Sequence, residues 1–213
     1  MDINLFFLDF ETTGLNPYLN DIIEIAIKKY NEEDYYETLV KPKKLPPGLV
    51  TYILPHITNI NGITDRMIQE KAISKSESLY KLLEYIESHS DEASPIYIVS
   101  HNGTSFDFIF FRRLLSESIN KRRFTKFKGT IIERFNYIDS LLLAKRFLTE
   151  KVSQPNLCKK YGIVNEAEHR ALGDINALEK LYICLCNSFS KKINKDEDYL
   201  IHHPEEVNQY LFV

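Results

Sequence analysis

A three-layer α/β domain, with helices on both faces of a mixed five-stranded sheet, is the fold class that the sequence predicts. Three strand-like segments come first, and two later strand-like segments alternate with helical ones. The 213 residues are 44% hydrophobic and 27% charged, which is ordinary for one folded domain with a full core. These observations favour a sheet that begins as an antiparallel unit and continues through strand–helix units.

The first three predicted strands follow one another closely. Ile3 to Leu8 is a nearly continuous apolar run, typical of a strand buried on both faces. Ile22 to Tyr30 alternates and is rich in isoleucine, and Tyr35 to Val40 follows the turn-like segment 31–34. The short connections predict an antiparallel meander, so these strands form one side of the sheet.

A proline-rich connection, Lys41 to Pro55, predicts a loop, because proline lacks a backbone donor and blocks regular structure. Strands and helices alternate beyond it. The predicted strands are Ile96 to Val99 and Asn136 to Ile138. The predicted helices are Ser76 to His89 (capped by Ser76 or Ser78), Ser105 to Ser116, Asp139 to Phe147, Gln154 to Tyr161 closed by Gly162, Ala171 to Cys186, and a short one after Pro204.

Domain organisation and environment follow from composition. We expect one domain over residues 1–190, with a C-terminal extension, residues 191–213, packed on it. The net charge of −3 gives no sign of a nucleic-acid partner, so any phosphate contacts must come from local patches. Three cysteines without CxxC spacing favour a reducing intracellular environment over a disulfide framework. No apolar segment is long enough for a membrane span, and we expect a soluble intracellular protein with no membrane partner.

Asp9 and Glu11 form the first candidate site. Residues two apart in a strand point to the same side, so both carboxylates lie on one face. Two anions side by side at the end of an apolar strand are costly unless a cation compensates them, and a hard divalent metal prefers oxygen ligands. A solvated strand end that runs into a turn is the alternative for this pair taken alone.

Two further acids and one histidine lie near predicted helix starts. Asp107 falls in the first turn of the helix after the strand Ile96 to Val99, where an acid also suits the helix dipole. Asp174 falls at the start of the last long helix, and His169 lies on the chain leading into it. Each alone is typical of a cap or surface residue. Together with the first pair, these residues are expected to converge at one point of the fold.

The ordered set resembles the DEDDh group of the DnaQ-like 3′→5′ exonuclease superfamily, which has a ribonuclease H-like fold. The matching motifs are DxE at residues 9–11, HNxxxxD at residues 101–107 and HxxxxD at residues 169–174. Segments 22–26, 61–64, 139–141 and 157–163 also match in kind, the last resembling the polymerase epsilon proofreading subunit. Residues 101–103 and 106–108 are similar to TREX-type exonucleases. Asn61 stands where relatives often have histidine.

The resemblance implies a metal-dependent 3′→5′ exonuclease that hydrolyses DNA to nucleoside 5′-monophosphates by a two-metal-ion mechanism. It implies that Asp9 bridges two divalent ions, that Glu11 and Asp174 complete their shells, and that Asp107 binds the second ion through water. Magnesium is the expected ion, with manganese as a substitute. His169 is the expected general base, since an unperturbed imidazole with a pKa near 6.5 accepts a proton at physiological pH.

Substrate and partner expectations rest on the same resemblance. The expected partners are single-stranded DNA or RNA 3′ ends, and also a polymerase or a second copy of the chain. Thr12 and Thr13 would hold the terminal nucleotide through backbone amides and hydroxyls. Leu15 would wedge against the last bases, Ile63 would pack on the terminal base, and Asn102 would contact the nucleotide backbone. Ordinary core packing is the alternative for Leu15 and Ile63.

A basic stretch, residues 112–134, carries eight lysines and arginines with Phe124 and Phe127 between them. Such a segment can grip phosphates and stack bases, or it can be a solvated loop. A smaller cluster at Lys41, Lys43 and Lys44 has the same ambiguity. Three alternative functions remain open: an RNA exonuclease, a nucleic-acid-binding or polymerase-tethering module with a decayed site, and a phosphatase or nucleotidase acting on small substrates.

Overall fold

One mixed sheet of five strands organises the fold. Its strands are β1 (Leu5–Thr12), β2 (Ile22–Lys29), β3 (Tyr35–Leu39), β4 (Ile96–Ser100) and β5 (Phe135–Asp139). They lie in the order β3-β2-β1-β4-β5, with the first three antiparallel and with β4 parallel to both β1 and β5. The predicted α/β fold with a mixed five-stranded sheet and an antiparallel start is therefore confirmed.

The computed structural model describes residues 3–43, 53–91, 93–118, 120–127, 130–165 and 167–211. Lys44, Pro46, Pro47 and Lys128, which the sequence places in a loop or in basic clusters, lie outside these ranges. The described helices are α1 (Pro55–Asn61), α2 (Asp65–Lys71), α3 (Lys75–Ser88), α4 (Asp107–Ser118), α5 (Ser140–Phe147), α6 (Gln154–Tyr161), α7 (Ala171–Lys192), α8 (Tyr199–His202) and α9 (Pro204–Leu211).

The side chains of β1 alternate between two cores. Phe6 and Leu8 pack on the face covered by α3 and α4, whereas Leu5 and Phe7 pack against α7 on the opposite face. Asp9 and Glu11 continue the row of Leu5 and Phe7, because alternate strand residues share a face. The strand therefore directs both carboxylates to the side of the sheet on which α7 begins.

Several predicted boundaries were wrong in detail. Pro55 does not belong to a loop but opens α1, since its missing N–H would be unpaired in a first helical turn in any case. The helices α1 and α2 were not predicted, because each has only seven residues and little periodicity. Ser74, not Ser76 or Ser78, caps α3 by accepting a hydrogen bond from the Glu77 amide.

The two phenylalanines of the basic stretch are core residues. Phe124 and Phe127 lie in a 3-10 segment, are completely buried, and pack edge-on against Tyr80 of α3. The prediction that they stack bases is therefore wrong, because neither ring reaches solvent. The cations beside them are engaged within the fold: Arg123 pairs with Glu77, and Lys126 pairs with Glu84.

The last part of the chain packs on α7. Leu200, Ile201 and Val207 are buried in the same core as Leu181 and Leu185 of that helix. This contact places α8 and α9 against the face of the sheet that α7 covers. Among the described residues, no helix combines the length and apolar character that crossing a bilayer requires.

Candidate active site

Three carboxylates meet at the end of β1. Asp9 and Glu11 come from the strand, and Asp174 comes from the first turn of α7, which begins beside it. One ligand oxygen from each of the three lies within 4.8 Å of the other two. The alternation of side chains along β1 and the start of α7 beside that strand bring the three carboxylates together. The sequence alone predicted only that these acids would converge at one point of the fold.

Asp107 lies next to this cluster but is not among those three ligands. It is the first residue of α4, it is only 3% exposed, and its Oδ1 has no hydrogen-bond partner among the described residues. An unpaired buried carboxylate oxygen is costly, so Oδ1 of Asp107 is suited to bind a cation. The negative charge of Asp107 acts on Asp9, which places the fourth acid at the same site.

The acids share an unfavourable electrostatic environment. Burial, then the charges of Asp107 and Asp174, raises the pKa of Asp9 well above its usual range. Burial raises the pKa of Glu11 to about 7, although a hydrogen bond from Asn61 opposes this, and it raises the pKa of Asp107 to about 8. Burial likewise raises the pKa of Asp174 to about 6. Four carboxylates that resist ionisation together favour a site that takes up positive charge.

Asn61 orients the Glu11 carboxylate through a hydrogen bond. Its Nδ2 donates to Glu11 Oε2 at 3.1 Å, and its Oδ1 accepts from the Ile63 amide at 3.0 Å. The side chain is buried, as the last residue of α1. The sequence signalled this position only as a departure from the family pattern, and the hydrogen bond to the acid was not predicted.

The loop before α7 holds Asp174 and presents His169. Asn165 Nδ2 donates to Asp174 Oδ1 at 2.7 Å, and the His169 amide donates to Asp174 Oδ2 at 3.1 Å. His169 has a φ of 63°, an uncommon conformation for a residue other than glycine, and its side chain is 52% exposed. Its backbone is therefore tied to the cluster while its imidazole reaches solvent.

Gly173 allows this loop to approach α7. A Cβ added at Gly173 would lie 2.3 Å from the carbonyl oxygen of Ala167. No side chain fits at such a distance, so only glycine permits the loop to lie directly against the first turn of the helix. The glycine next to Asp174 is thus required for the position of the His169 segment.

Arg170 ties the same loop to the sheet. Its guanidinium forms a bidentate pair with Glu24 of β2, with Nη2 2.5 Å from Oε1 and Nε 3.1 Å from Oε2. The Ala171 amide donates to Glu24 Oε2 at 3.0 Å. Glu24 is the cross-strand partner of Glu11, and the arginine charge therefore offsets two neighbouring carboxylates. The sequence analysis missed this pair, because its members are 146 residues apart.

Asp139 organises the segment that leads to Asp107. It lies at the end of β5, it is buried, and its two oxygens accept from the amides of Asn102 and Thr104, each at 2.9 Å. It also caps α5 by accepting from the Leu141 amide at 3.0 Å. One carboxylate thus connects β5 to the turn between β4 and α4, on which Asn102 is exposed.

The structure places the predicted substrate-contacting residues in different environments. Thr12 donates its hydroxyl to the Gly14 carbonyl, and the Thr13 amide and hydroxyl bond to the backbone of Asp21, so these groups brace the loop after β1. Ile63 is fully buried, and the prediction that it packs on a base is wrong because its side chain lies within a core cluster. Leu15 is 86% exposed, which excludes the core-packing alternative for that residue.

A cleft of about 330 Å³ opens beside the cluster. Asp9, Asp174 and His169 line it, together with four polar side chains that the sequence analysis did not single out: Gln154, Lys159, Asn165 and Glu168. Gln154 and Lys159 lie on α6, and Gln154 Nε2 donates to the carbonyl of Asp174 at 3.0 Å. Only the packing of α6 against α7 brings these residues to the site.

The donor set fits divalent metal ions. Its ligands are carboxylate oxygens, which hard cations such as Mg²⁺ and Mn²⁺ prefer. The close approach of three acids and the unpartnered Asp107 Oδ1 are the structural features that support this fit. A ribonuclease H-like sheet with clustered acids at the end of its first strand and an exposed histidine beside them defines a DnaQ-like nuclease.

Comparison with known proteins gives the family. The sequence model described as Exonuclease matches residues 6–182, and the chain therefore belongs to this exonuclease family. The DNA polymerase III PolC-type of Thermotoga petrophila is 33% identical over 180 residues, which cover 83% of this chain and 11% of that protein. The exonuclease DPD1 of Arabidopsis thaliana is 33% identical over 82% of this chain and 53% of its own length.

Two further relatives extend the comparison. Ribonuclease T of Buchnera aphidicola is 29% identical over 84% of this chain and 82% of its own length. The E. coli ExoI–ssDNA complex in its zinc-bound form superposes with a TM-score of 0.69 at 18% identity, over 95% of this chain and 43% of that one. This likeness shows the fold. The chain spans about a tenth of the PolC-type relatives and about half of the plant exonuclease.

Proposed function

We propose that the protein is a metal-dependent 3′→5′ exonuclease that shortens DNA and releases nucleoside 5′-monophosphates. The observation that carries this proposal is the meeting of Asp9, Glu11 and Asp174 within 4.8 Å, next to the exposed imidazole of His169. Family membership supports a nuclease, and the acids and histidine supply the groups that phosphodiester hydrolysis requires.

The acidic residues would hold the metal ions. Asp9, Glu11 and Asp174 offer the clustered oxygens, and Asp107 offers a buried carboxylate without a protein partner. When bound, two Mg²⁺ or Mn²⁺ ions would supply Lewis-acid stabilisation of the attacking and leaving oxygens of an in-line displacement. Asn61 and Asn165 keep Glu11 and Asp174 turned toward the site by hydrogen bonds at 3.1 and 2.7 Å.

His169 would act as the general base that removes a proton from the attacking water. Its imidazole lies at the edge of the cleft that Asp9 and Asp174 line, and its backbone amide is anchored on Asp174. Proton transfer by a positioned side chain contributes about 10²–10⁴-fold to a rate. Lys159, on the same cleft, is a candidate contact for the phosphate of the terminal nucleotide.

DNA is the proposed polymer, and RNA is the second candidate. Relatives at 33% identity include DNA polymerase III of the PolC type, which favours DNA. A relative at 29% identity is named ribonuclease T, which is the specific observation that favours RNA. Association with a polymerase or with a second copy of the chain stays a prediction. Size-exclusion chromatography with light scattering would measure whether two copies of the chain associate.

The test uses single-stranded DNA and RNA labelled at the 3′ or the 5′ end, incubated with Mg²⁺ or with EDTA. We expect Mg²⁺-dependent release of 5′-mononucleotides from the 3′ end, with DNA degraded faster than RNA. Asp174→Ala should abolish release, whereas Asp196→Ala, an exposed acid outside the cluster, should leave it unchanged. Release from the 5′ end, or equal activity in EDTA, would contradict the proposal.

The role of His169 needs a variant that keeps its backbone conformation. Asparagine tolerates positive φ, so His169→Asn removes the imidazole without imposing new backbone strain. We expect kcat to fall about 10²–10⁴-fold, while thermal stabilisation by Mg²⁺ remains because all four acids are intact. An unchanged kcat would remove His169 from the chemistry and leave the metal centre unaffected.

A further inference from the structure

His101 connects three segments of the chain at the edge of the sheet that carries the acid cluster. It directly follows β4, and its Nδ1 lies 2.8 Å from the hydroxyl oxygen of Ser140, which directly follows the parallel strand β5. Its Nε2 lies 2.9 Å from the carbonyl oxygen of Val152, two residues before α6 begins. One side chain therefore joins the ends of two parallel strands to the start of α6.

The two partners of the imidazole define its hydrogen-bonding state. A carbonyl oxygen only accepts, so Nε2 of His101 carries a proton and donates to Val152. The Ser140 hydroxyl then donates to an unprotonated Nδ1, which gives a neutral ring with both nitrogens bonded. Burial lowers the pKa of His101, although the charge of Asp139 opposes this, and so favours the same neutral form. A ring bonded on both sides is held in one orientation.

On one side, the main chain of His101 opens the turn that leads to Asp107. The amides of Asn102 and Thr104 in this turn donate to Asp139 at the end of β5, each at 2.9 Å. The turn ends at Asp107, which is the first residue of α4. The segment that carries the Asp107 carboxylate is therefore held by the same pair of strand ends to which the His101 ring is bonded.

On the other side, Val152 leads through the start of α6 to Asp174. Gln154 is the first residue of α6, and its Nε2 donates to the backbone carbonyl of Asp174 at 3.0 Å. Gln154 also lines the catalytic cleft together with Asp9 and Asp174. Only Ser153 lies between Val152 and Gln154. An anchored Val152 carbonyl therefore fixes the end of the helix from which Gln154 reaches Asp174.

The two faces of the sheet carry different acids of the cluster. The helix α4, which begins at Asp107, covers one face, and α7, which carries Asp174, covers the other. His101 continues the row of Tyr97 and Val99, which pack in the core beneath α7, because alternate strand residues share a face. Its side chain thus belongs to the face of Asp174, while its main chain runs on toward Asp107.

We propose that His101 is a positioning residue that fixes the segments of Asp107 and Asp174 relative to each other, and so sets the affinity of the acid cluster for divalent ions. This proposal rests on the proposed function, because it takes the four acids as metal ligands. The contacts His101–Val152 and Gln154–Asp174 act in series, so the effect requires both. Substitutions within such networks change an equilibrium constant about two- to thirtyfold.

The experiment measures the Mn²⁺ affinity of the protein without nucleic acid, by isothermal titration calorimetry. His101→Gln places a donor nitrogen as many bonds from the backbone as Nε2, so it can still reach the Val152 carbonyl, whereas His101→Asn is too short. We expect His101→Asn to weaken Mn²⁺ binding roughly threefold or more, and His101→Gln to stay within about twofold of wild type. His89→Asn is the matched control, because His89 bonds to Tyr85 and Asp34 at the other end of the sheet.

A double variant tests whether the two contacts act in series. His101→Asn combined with Gln154→Ala should bind Mn²⁺ no more weakly than the weaker-binding of the two single variants. Losses that multiply would show independent effects and would overturn the proposal. Equal Mn²⁺ affinities of His101→Asn and His101→Gln would overturn it as well, because a general loss of packing affects both variants alike.

Hydrolysis of a labelled oligonucleotide is measured separately. If the variants change Mn²⁺ affinity as expected but the wild type hydrolyses no strand, the positioning role stands and the proposed exonuclease function fails. If the wild type hydrolyses the strand and His101→Asn binds Mn²⁺ as tightly as wild type, the positioning role fails and the proposed function stands. A wild type that binds no Mn²⁺ overturns the positioning role, because the acids then hold no ion.

Discussion

The side-chain amide of Asn61 joins the Glu11 carboxylate to the backbone of Ile63. Its nitrogen donates to Glu11 Oε2 at 3.1 Å while its oxygen accepts from the Ile63 amide at 3.0 Å. Both hydrogen bonds assign the same end of the Asn61 amide as the nitrogen, so its N–H group points at the Glu11 carboxylate. The buried end of α1 therefore fixes the orientation of one candidate metal ligand.

Removal of this hydrogen bond should weaken metal binding. We expect Asn61→Ala to raise the Mg²⁺ concentration needed for half-maximal activity about 10–100-fold, the usual effect of losing a partner of a metal ligand. Asn61→His should lose less, because a ring N–H can replace the donor. Asn136→Ala, which removes an amide bonded to the Arg134 carbonyl away from the site, should leave the Mg²⁺ requirement unchanged. An unchanged requirement in Asn61→Ala would contradict the assigned role.

Gly173→Ala should reduce activity although alanine favours helix. In an exposed helix this substitution gains about 1 kcal/mol, but here the new Cβ would lie 2.3 Å from the Ala167 carbonyl oxygen. The loop that carries His169 must move away, and we expect kcat to fall at least about tenfold, since misplacement by about 1 Å can cost about 10²-fold. Gly162→Ala serves as the comparison: a Cβ there meets nothing within 4 Å, but the left-handed φ of 69° destabilises alanine, so this variant shows how far a loss of stability without a steric clash changes kcat. Equal effects on kcat would show that the contact at Gly173 is unimportant.

The Arg170–Glu24 pair should show strong energetic coupling. Glu24 is 1% exposed and lies beside Glu11, so Arg170→Ala leaves a buried carboxylate without its cation. We expect a loss of about 2–3 kcal/mol in the free energy of unfolding, below the range for fully buried pairs because the Arg170 side chain is 36% exposed. Urea denaturation of both single variants and of Arg170→Ala with Glu24→Gln would give the coupling.

The control pair for this double-mutant cycle is Arg66–Glu70, an exposed ion pair between residues four apart on α2. Its coupling should not exceed about 0.5 kcal/mol. A coupling at Arg170–Glu24 as small as this would mean that the guanidinium does not compensate Glu24, and the explanation of how the loop is tied to the sheet would have to be abandoned.

Asp21 should stabilise the protein in a pH-dependent manner. Burial alone would raise its pKa, but the hydrogen bond from Lys75, the Lys43 amide and the charge of Arg113 outweigh burial and lower it. A depressed carboxyl pKa contributes stability above the unfolded value, near 3.9, and that stability is lost as pH falls through the folded pKa. Asp21→Asn should therefore be less stable than wild type at pH 7, by about 1–3 kcal/mol.

The difference in the free energy of unfolding between wild type and Asp21→Asn should narrow as pH falls below about 4. Guanidinium denaturation at a series of pH values measures it, and the other acids affect both proteins alike. A difference that stays constant down to pH 2 would mean that ionisation of Asp21 is not the source of its contribution.

Local sequence patterns predicted most of the strands and helices of the fold. Apolar runs and helical periodicity located all five strands and the longer helices, because both signals depend on neighbours within a few residues. The short helices α1 and α2 escaped notice, as seven residues hold too little periodicity. Strand parity also placed Asp9 and Glu11 on one face, which the structure shows on the side of α7.

What the sequence determined by itself was therefore the fold class, the family and the order of the acidic motifs, because each is encoded in residue type and local spacing. Only the tertiary structure decided which distant residues hold those acids, and the segments that carry them, in place. Asn61, Arg170 with Glu24, and Asp139 gain long-range partners through contacts across 35 to 146 residues. It also buried Phe124 and Phe127 and left Leu15 exposed, since burial depends on what packs against a side chain and not on the side chain itself.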